Sequence, residues 1–289
     1  MLMETWFIIL LVVIAVAAVT VLLFYSLIGD ETIRLHKLKH RRGEYINDQT
    51  AVIYQTIKDT EDSVKAYHLF VEYLFTNSQH FLMYVGETMG KVYDAFNSHD
   101  VEALKSLLTA EAEMKVELKD QKYTQDDCLA TIDPLCYVDN SVWINLASTC
   151  MFDINDCLRN VTKGCVDFHF YNNSNLNDIY QERVSIIVGD IRNICRTAYD
   201  LVKSGDIEGM RELRKRCSVI LSESQSNTQR VYELLNDGRS KLDDNKKISL
   251  KYVLNNLQEC HCLIYTLRRL VLCNIGLVLS LANLDSDNS

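Results

Sequence analysis

The sequence predicts an all-α protein, with one N-terminal transmembrane helix followed by a helical bundle domain. Three observations predict it. Residues 5–28 carry no charged side chain, and at about 1.5 Å of rise per residue such a run crosses the roughly 30 Å hydrocarbon core of a bilayer. The 289 residues include one Pro and ten Gly, whereas turn-rich β folds need many of both. Beyond the apolar run, hydrophobic residues recur with a period near 3.6, the spacing of an amphipathic helix.

The first element is the span. Trp6 and Tyr25 lie near its two ends, where amphipathic rings favour the membrane interface. A cleaved signal peptide would carry a basic start and would end its apolar part before the cleavage site. Here the only early charged side chain is Glu4, and the small residues Ala15, Ala17 and Ala18 lie inside an apolar run that continues to Phe24. A retained anchor is therefore expected. Arg34, Lys37, Lys39, Arg41 and Arg42 follow it closely, and basic residues so near a span stay on the cytoplasmic side. The expected topology is single-pass in the inner membrane, with the N-terminus outside and the bundle inside. The basic cluster, with His36 and His40, is placed at the anionic leaflet surface. With the bundle inside, the sequons at Asn160 and Asn172 would not be glycosylated.

The cytoplasmic helices follow in order. A first stretch covers about 32–62. A second covers about 64–96, with Leu69, Tyr73, Phe81, Tyr84, Val92 and Phe96 on its core face. Asn97-Ser98-His99 reads as a turn, and Asp100 as the cap of a third helix to about 127, with Leu104, Leu107, Leu108 and Met114 inward. Asp133-Pro134 is the clearest break, because Pro is tolerated at a helix start and its predecessor leaves the α region. A fourth helix is expected over about 135–170, a fifth over 178–203, a sixth over 206–242 and a seventh over 246–282. The apolar stretch 270–282 is shorter than the usual span of about twenty residues, so it is expected to be a buried terminal helix. The alternative is a helix lying on the bilayer.

Composition narrows the function classes. The formal net charge is −9, which argues against nucleic acid, since phosphate binding needs a basic face. Ten Cys are present, none before Cys128. Cys150, Cys157 and Cys165 recur at helical spacing, and a chain this long can build a core without disulfides, so the set reads as reduced core thiols.

Two segments match one another. Ser98-His99-Asp100-Val101-Glu102-Ala103-Leu104-Lys105-Ser106-Leu107 aligns with Ser204-Gly205-Asp206-Ile207-Glu208-Gly209-Met210-Arg211-Glu212-Leu213. Ser, Asp, Glu and Leu recur in place. Each copy is a tight turn, an Asp cap and the first turns of a helix. An internal repeat is expected from this, with boundaries at 1–28 for the N-terminus and span and 29–44 for the basic juxtamembrane segment. The two bundle repeats then cover 45–133 and 134–245, the terminal helix 246–284, and a short tail 285–289.

Two halves, each a helical hairpin followed by a capped third helix, resemble the PhoU family. That family is built of two similar three-helix bundles and works in bacterial phosphate regulation. A second resemblance covers more of the chain. Gly29-Asp30-Glu31-Thr32-Ile33-Arg34-Leu35, with Lys37 to Arg42, looks like the exit from the last membrane helix of PiT-type inorganic phosphate transporters. These carry a PhoU-like cytoplasmic domain. The stretch from Tyr252-Val253-Leu254-Asn255-Asn256-Leu257-Gln258-Glu259 through Leu267-Arg268-Arg269-Leu270 resembles the end of that domain. The multi-helix permease and its substrate motif are absent from this sequence, and one span cannot form a substrate path. The resemblance implies a regulatory or interaction role in phosphate transport, with the bilayer and either a phosphate permease or a second copy of the chain as partners. The alternative is a membrane-tethered sensory or scaffold protein unrelated to phosphate.

Chemistry is sparse. Glu233 and Asp237 lie four apart on one helix face and are the candidate ligands for a hard cation, as are the pairs Glu113/Glu117 and Glu208/Glu212. Such pairs are more often a solvated face. Cys260-His261-Cys262 holds soft ligand types, but adjacent helical residues point apart. No phosphate loop, nucleophile elbow or His-Glu-x-x-His occurs in the sequence. Neither an enzyme nor a cofactor is expected.

Overall fold

The computed structural model describes residues 48–171, 178–236 and 244–287. The sequence readings on the span at 5–28, the basic cluster from Arg34 to Arg42, the sequon at Asn172 and the candidate ligand Asp237 lie outside the described residues. The chain divides into two units, Met1–Ala51 and Val52–Ser289, and the bundle is the second.

Seven α-helices and two short 3₁₀ turns make up the described residues, with no strand among them. They are α1 (Asp48–Lys58), α2 (Ser63–Asn97), α3 (Val101–Leu129), α4 (Ser141–Tyr171), α5 (Asp178–Ser204), α6 (Ile207–Asn236) and α7 (Asp244–Asp287). Helix α7 packs along α4 and α6, α2 along α5, and α3 along α4.

The caps explain the boundaries. The Asp62 carboxylate accepts from the backbone N–H of Val64 at 3.0 Å and of Lys65 at 3.2 Å, which starts α2. Lys58 pairs with Asp127 at 2.6 Å, and the Tyr54 hydroxyl donates to the same carboxylate. These contacts tie α1 to the end of α3 and hold the Asp127 carboxyl below its ordinary range, the Lys58 contact being the larger cause.

The two matched segments form the same turn. His99 and Gly205 both take positive φ, 57° and 66°. Asp100 N–H donates to Ala95 O at 2.9 Å, and Asp206 N–H to Leu201 O at 3.2 Å. The Asp100 carboxylate then accepts from Ala103 N–H, and the Asp206 carboxylate from Gly209 N–H, both at 2.9 Å. This is a left-handed helix end followed directly by an Asp cap. Leu104 and Met210, at matched positions, are both fully buried.

The break at Pro134 is longer than the sequence suggested. Instead of a helix from about 135, the chain makes 3₁₀ turns at Pro134–Cys136 and Val138–Asn140 before α4 begins at Ser141. Asp133 caps the first turn through Leu135 N–H at 3.0 Å, and Tyr137, at φ −131°, interrupts helical geometry between the two.

Helices α3 and α4 pair in antiparallel register. The buried positions of α3 are Leu104, Glu111, Leu118, Gln125 and Cys128, and the first four recur every seven residues. Of the residues expected to face inward, Leu104 is fully buried, and Leu107, Leu108 and Met114 are half-buried, with Leu107 and Met114 packed against the core. Buried Ser148, Asn155 and Thr162 recur at the same spacing on α4. The Ser148 hydroxyl donates to Gln125 Oε1 at 2.7 Å, and Lys115 on α3 bridges to Asp156 on α4 at 2.7 Å. A seven-residue repeat is the spacing of paired helices, and buried polar residues within one fix the register.

Hydrophobic packing forms two clusters. The larger joins the second half of α2 to α4, α5, α6 and α7, around Leu82, Ile154, Ile191, Met210 and Leu263. The smaller joins α1, the first half of α2, the end of α3 and the start of α4, around Ile57, Phe70, Cys128 and Ile144. Buried Thr76, Asn77 and Ser78 separate them along α2. Among the described residues, one helix is long and apolar enough to cross a membrane by length and composition, α7 over Lys247–Leu284. Its apolar side chains Leu263, Leu267, Leu270, Val271 and Leu277 are buried in the clusters, as in the central helix of a bundle.

Candidate functional site

Concave surface is found where α4 and α7 part. A cleft of about 200 Å³ opens between the 160–168 stretch of α4 and the 248–259 stretch of α7. Residues four and seven or eight apart share a helix face. On α4 this brings Asn160, Gly164, Asp167 and Phe168 to the cleft, and on α7 it brings Ile248, Tyr252, Asn255, Asn256 and Glu259. Asn160 Nδ2 donates across the cleft to Glu259 Oε2 at 3.2 Å. A Cβ on Gly164 would meet Tyr252 Cε2 at 3.9 Å, so the glycine keeps this wall low without being sterically required.

Beneath the cleft the polar groups are linked. Asn256 Nδ2 donates to the Tyr252 hydroxyl at 3.2 Å, the Cys165 thiol lies 3.2 Å from the same hydroxyl, and the Cys260 thiol donates to Asn256 Oδ1 at 3.4 Å. Burial pushes the Cys165 thiol up to about 12, so it stays protonated and is not an activated nucleophile. The lining therefore supplies negative charge, amide groups and an aromatic floor.

The floor is one face of an aromatic cluster. Tyr252 stacks on Phe96 with ring centroids 5.2 Å apart and lies 4.6 Å from Phe168. His169 Nε2 donates to Phe96 O at 3.0 Å, which leaves its Nδ1 to accept from His99 Nδ1 at 3.2 Å. Burial, and next the neighbouring His99, hold the His169 imidazole below its ordinary range. The α2–α3 turn is thereby joined to the end of α4 and the start of α7.

A second polar site is enclosed. Glu111 is fully buried, and its Oε1 accepts from the Thr162 hydroxyl at 2.5 Å. Asn155 Nδ2 donates to Glu111 O at 3.0 Å. Among the described residues, Glu111 Oε2 and Asn155 Oδ1 find no hydrogen-bond partner. Burial raises the Glu111 carboxyl to about 7 against the opposing effects of Thr162 and Arg159.

Of the acidic pairs read from the sequence, Glu233/Asp237 lies only partly within the described residues. Glu233 is exposed and accepts from Gln229 at 2.9 Å. Glu208 pairs with Arg211 at 3.3 Å and Glu212 with Lys215 at 3.1 Å, and Glu113 is exposed. Of the thiol and imidazole run, Cys260 is buried, His261 half-buried and Cys262 exposed. No group of three or more His, Cys, Asp or Glu among the described residues is arranged to hold a metal ion. All ten Cys are free thiols, seven of them buried. The sequence reading missed Glu111, Asn155 and the α4 wall of the cleft. The seven-residue spacing of Glu111 with Leu104, Leu118 and Gln125 was the signal that could have found the first.

No protein-family model, no curated protein and no solved structure matches the chain.

Proposed function

We propose that the chain is a membrane-anchored cytoplasmic helical domain with a regulatory or interaction role in bacterial inorganic phosphate transport, and not a complete transporter. It resembles the last membrane helix and PhoU-like domain of a PiT-type transporter. The observation that carries this is the pair of turns at His99-Asp100 and Gly205-Asp206, whose matched hydrogen bonds open α3 and α6 in the same way. Such a correspondence is what an internal duplication of three-helix units leaves behind. The helical fold is consistent with the same relationship, and the 252–259 stretch that carries the PiT resemblance forms one wall of the α4–α7 cleft. The domain is held at the inner face of the membrane by the 5–28 span and the basic cluster from Arg34 to Arg42. Its partner is a separate phosphate permease or a second copy of itself.

The test is phosphate uptake. Deleting the gene should change the response of uptake to phosphate supply in cells, while the purified chain in liposomes should take up none. Unaltered uptake in the deletion strain at both low and high phosphate would leave a sensory or scaffold protein unrelated to phosphate. Uptake by the chain alone would refute the claim that it is not a complete transporter.

A further inference from the structure

The cleft between α4 and α7 has a definite charge. Asp167 on one wall and Glu259 on the other are carboxylates, and none of the lining residues is Lys, Arg or His. Asp167 and the amides Asn160 and Asn255 are exposed at its rim, whereas Phe168 and Tyr252 are buried at its floor. Its volume of about 200 Å³ lies below the roughly 300–1,000 Å³ of small-molecule sites, which fits a single inserted side chain better than a cofactor. A guanidinium matches this lining. It offers five N–H donors to carboxylates and amide oxygens, and its delocalised plane packs against aromatic rings. A lysine ammonium is a more strongly hydrated point charge without that plane. Membrane proteins concentrate Lys and Arg in their cytoplasmic loops.

We propose that the cleft receives an arginine side chain from a basic cytoplasmic loop of a partner membrane protein. This rests on the cytoplasmic interaction role proposed above and names the chemistry of the partner. Asp167 and Glu259 supply the charge, Asn160 and Asn255 accept at the rim, and Tyr252 and Phe168 form the apolar floor.

The test uses the full chain in non-ionic detergent and a fluorescein-labelled hexapeptide of alternating Gly and Arg, followed by fluorescence polarisation. The D167N/E259Q double variant should bind at least tenfold more weakly than the wild type. The control E102Q/E208Q, which removes two exposed carboxylates elsewhere, should change binding less than twofold. Gly164→Leu blocks the cleft without altering charge and should weaken binding as the double variant does. A peptide with citrulline in place of Arg should not bind. Thermal melting shows that each variant is folded. Equal weakening by the control pair, full binding by Gly164→Leu, or binding of the citrulline peptide would overturn the assignment. Tighter binding after Arg34, Lys37, Lys39, Arg41 and Arg42 are changed to Gln would make the chain's own basic segment the occupant, and would overturn the assignment to a partner. Any of these results leaves the cytoplasmic orientation standing, whereas labelling of the domain from outside the cell refutes the orientation itself.

Discussion

Replacing Glu111 with Gln should stabilise the protein above neutral pH. The carboxyl is fully buried, and one of its oxygens finds no hydrogen-bond partner among the described residues. Its pKa is about 7 in the folded chain against an ordinary 4.5. The folded state therefore holds a proton that the unfolded state releases earlier. This group's contribution to stability is greatest below about pH 4.5, falls as pH rises toward 7, and is level above that. At about 1.4 kcal/mol per pKa unit the total fall is about 3 kcal/mol. Gln keeps an oxygen for the Thr162 hydroxyl and cannot ionise. Urea unfolding of the chain in non-ionic detergent, followed by circular dichroism at about pH 5 and about pH 8.5, measures the effect. The E111Q variant should be more stable than wild type by about 1–3 kcal/mol at the higher pH and nearly equal to it at the lower. Thr162→Val, which removes a donor to the carboxylate, should move the wild-type fall to higher pH. An E111Q protein that is less stable at pH 8.5, or that keeps the full wild-type pH dependence, would refute the reasoning.

Other substitutions test the packing. A Cβ at Gly276 would stand 2.5 Å from the Trp143 ring, so Gly276→Ala must displace the indole. It should cost about 1–3 kcal/mol in thermal or urea unfolding and shift the Trp emission. Gly205 takes φ 66° with open space around it, so Gly205→Ala should cost about 1 kcal/mol from backbone strain alone, read as a lowered Tm. Ile154 is fully buried in the larger cluster, and Ile154→Ala should cost about 2–5 kcal/mol in the same assay.

Much of the helical organisation was legible because it is local. The Asp100 and Asp206 caps are read from a short polar turn before an apolar repeat, and their geometry follows from the backbone N–H groups each helix start leaves open. The α3 face was less legible. Leu107 and Met114 are more apolar than Glu111 and Gln125, yet the polar pair is more deeply buried. Pairing with Thr162 and Ser148 on another helix makes that burial tolerable, and composition within α3 alone does not show the partners. The start of α4 was misplaced because Pro134 opens a 3₁₀ turn as readily as an α-helix. The cleft was half legible. Its α7 wall falls in the 252–259 stretch singled out by resemblance, whereas its α4 wall depends on Gly164 lying opposite Tyr252, a tertiary fact.

The central claim is a helical domain facing the cytoplasm, and Cys262 provides its most direct test. Cys262 is exposed on the bundle, whereas seven of the other thiols are buried. A membrane-impermeant maleimide should label it in inside-out membrane vesicles, and a Cys262→Ser variant should lose that labelling. In intact right-side-out spheroplasts it should stay unlabelled. Labelling of Cys262 in the spheroplasts would place the bundle outside and contradict the account.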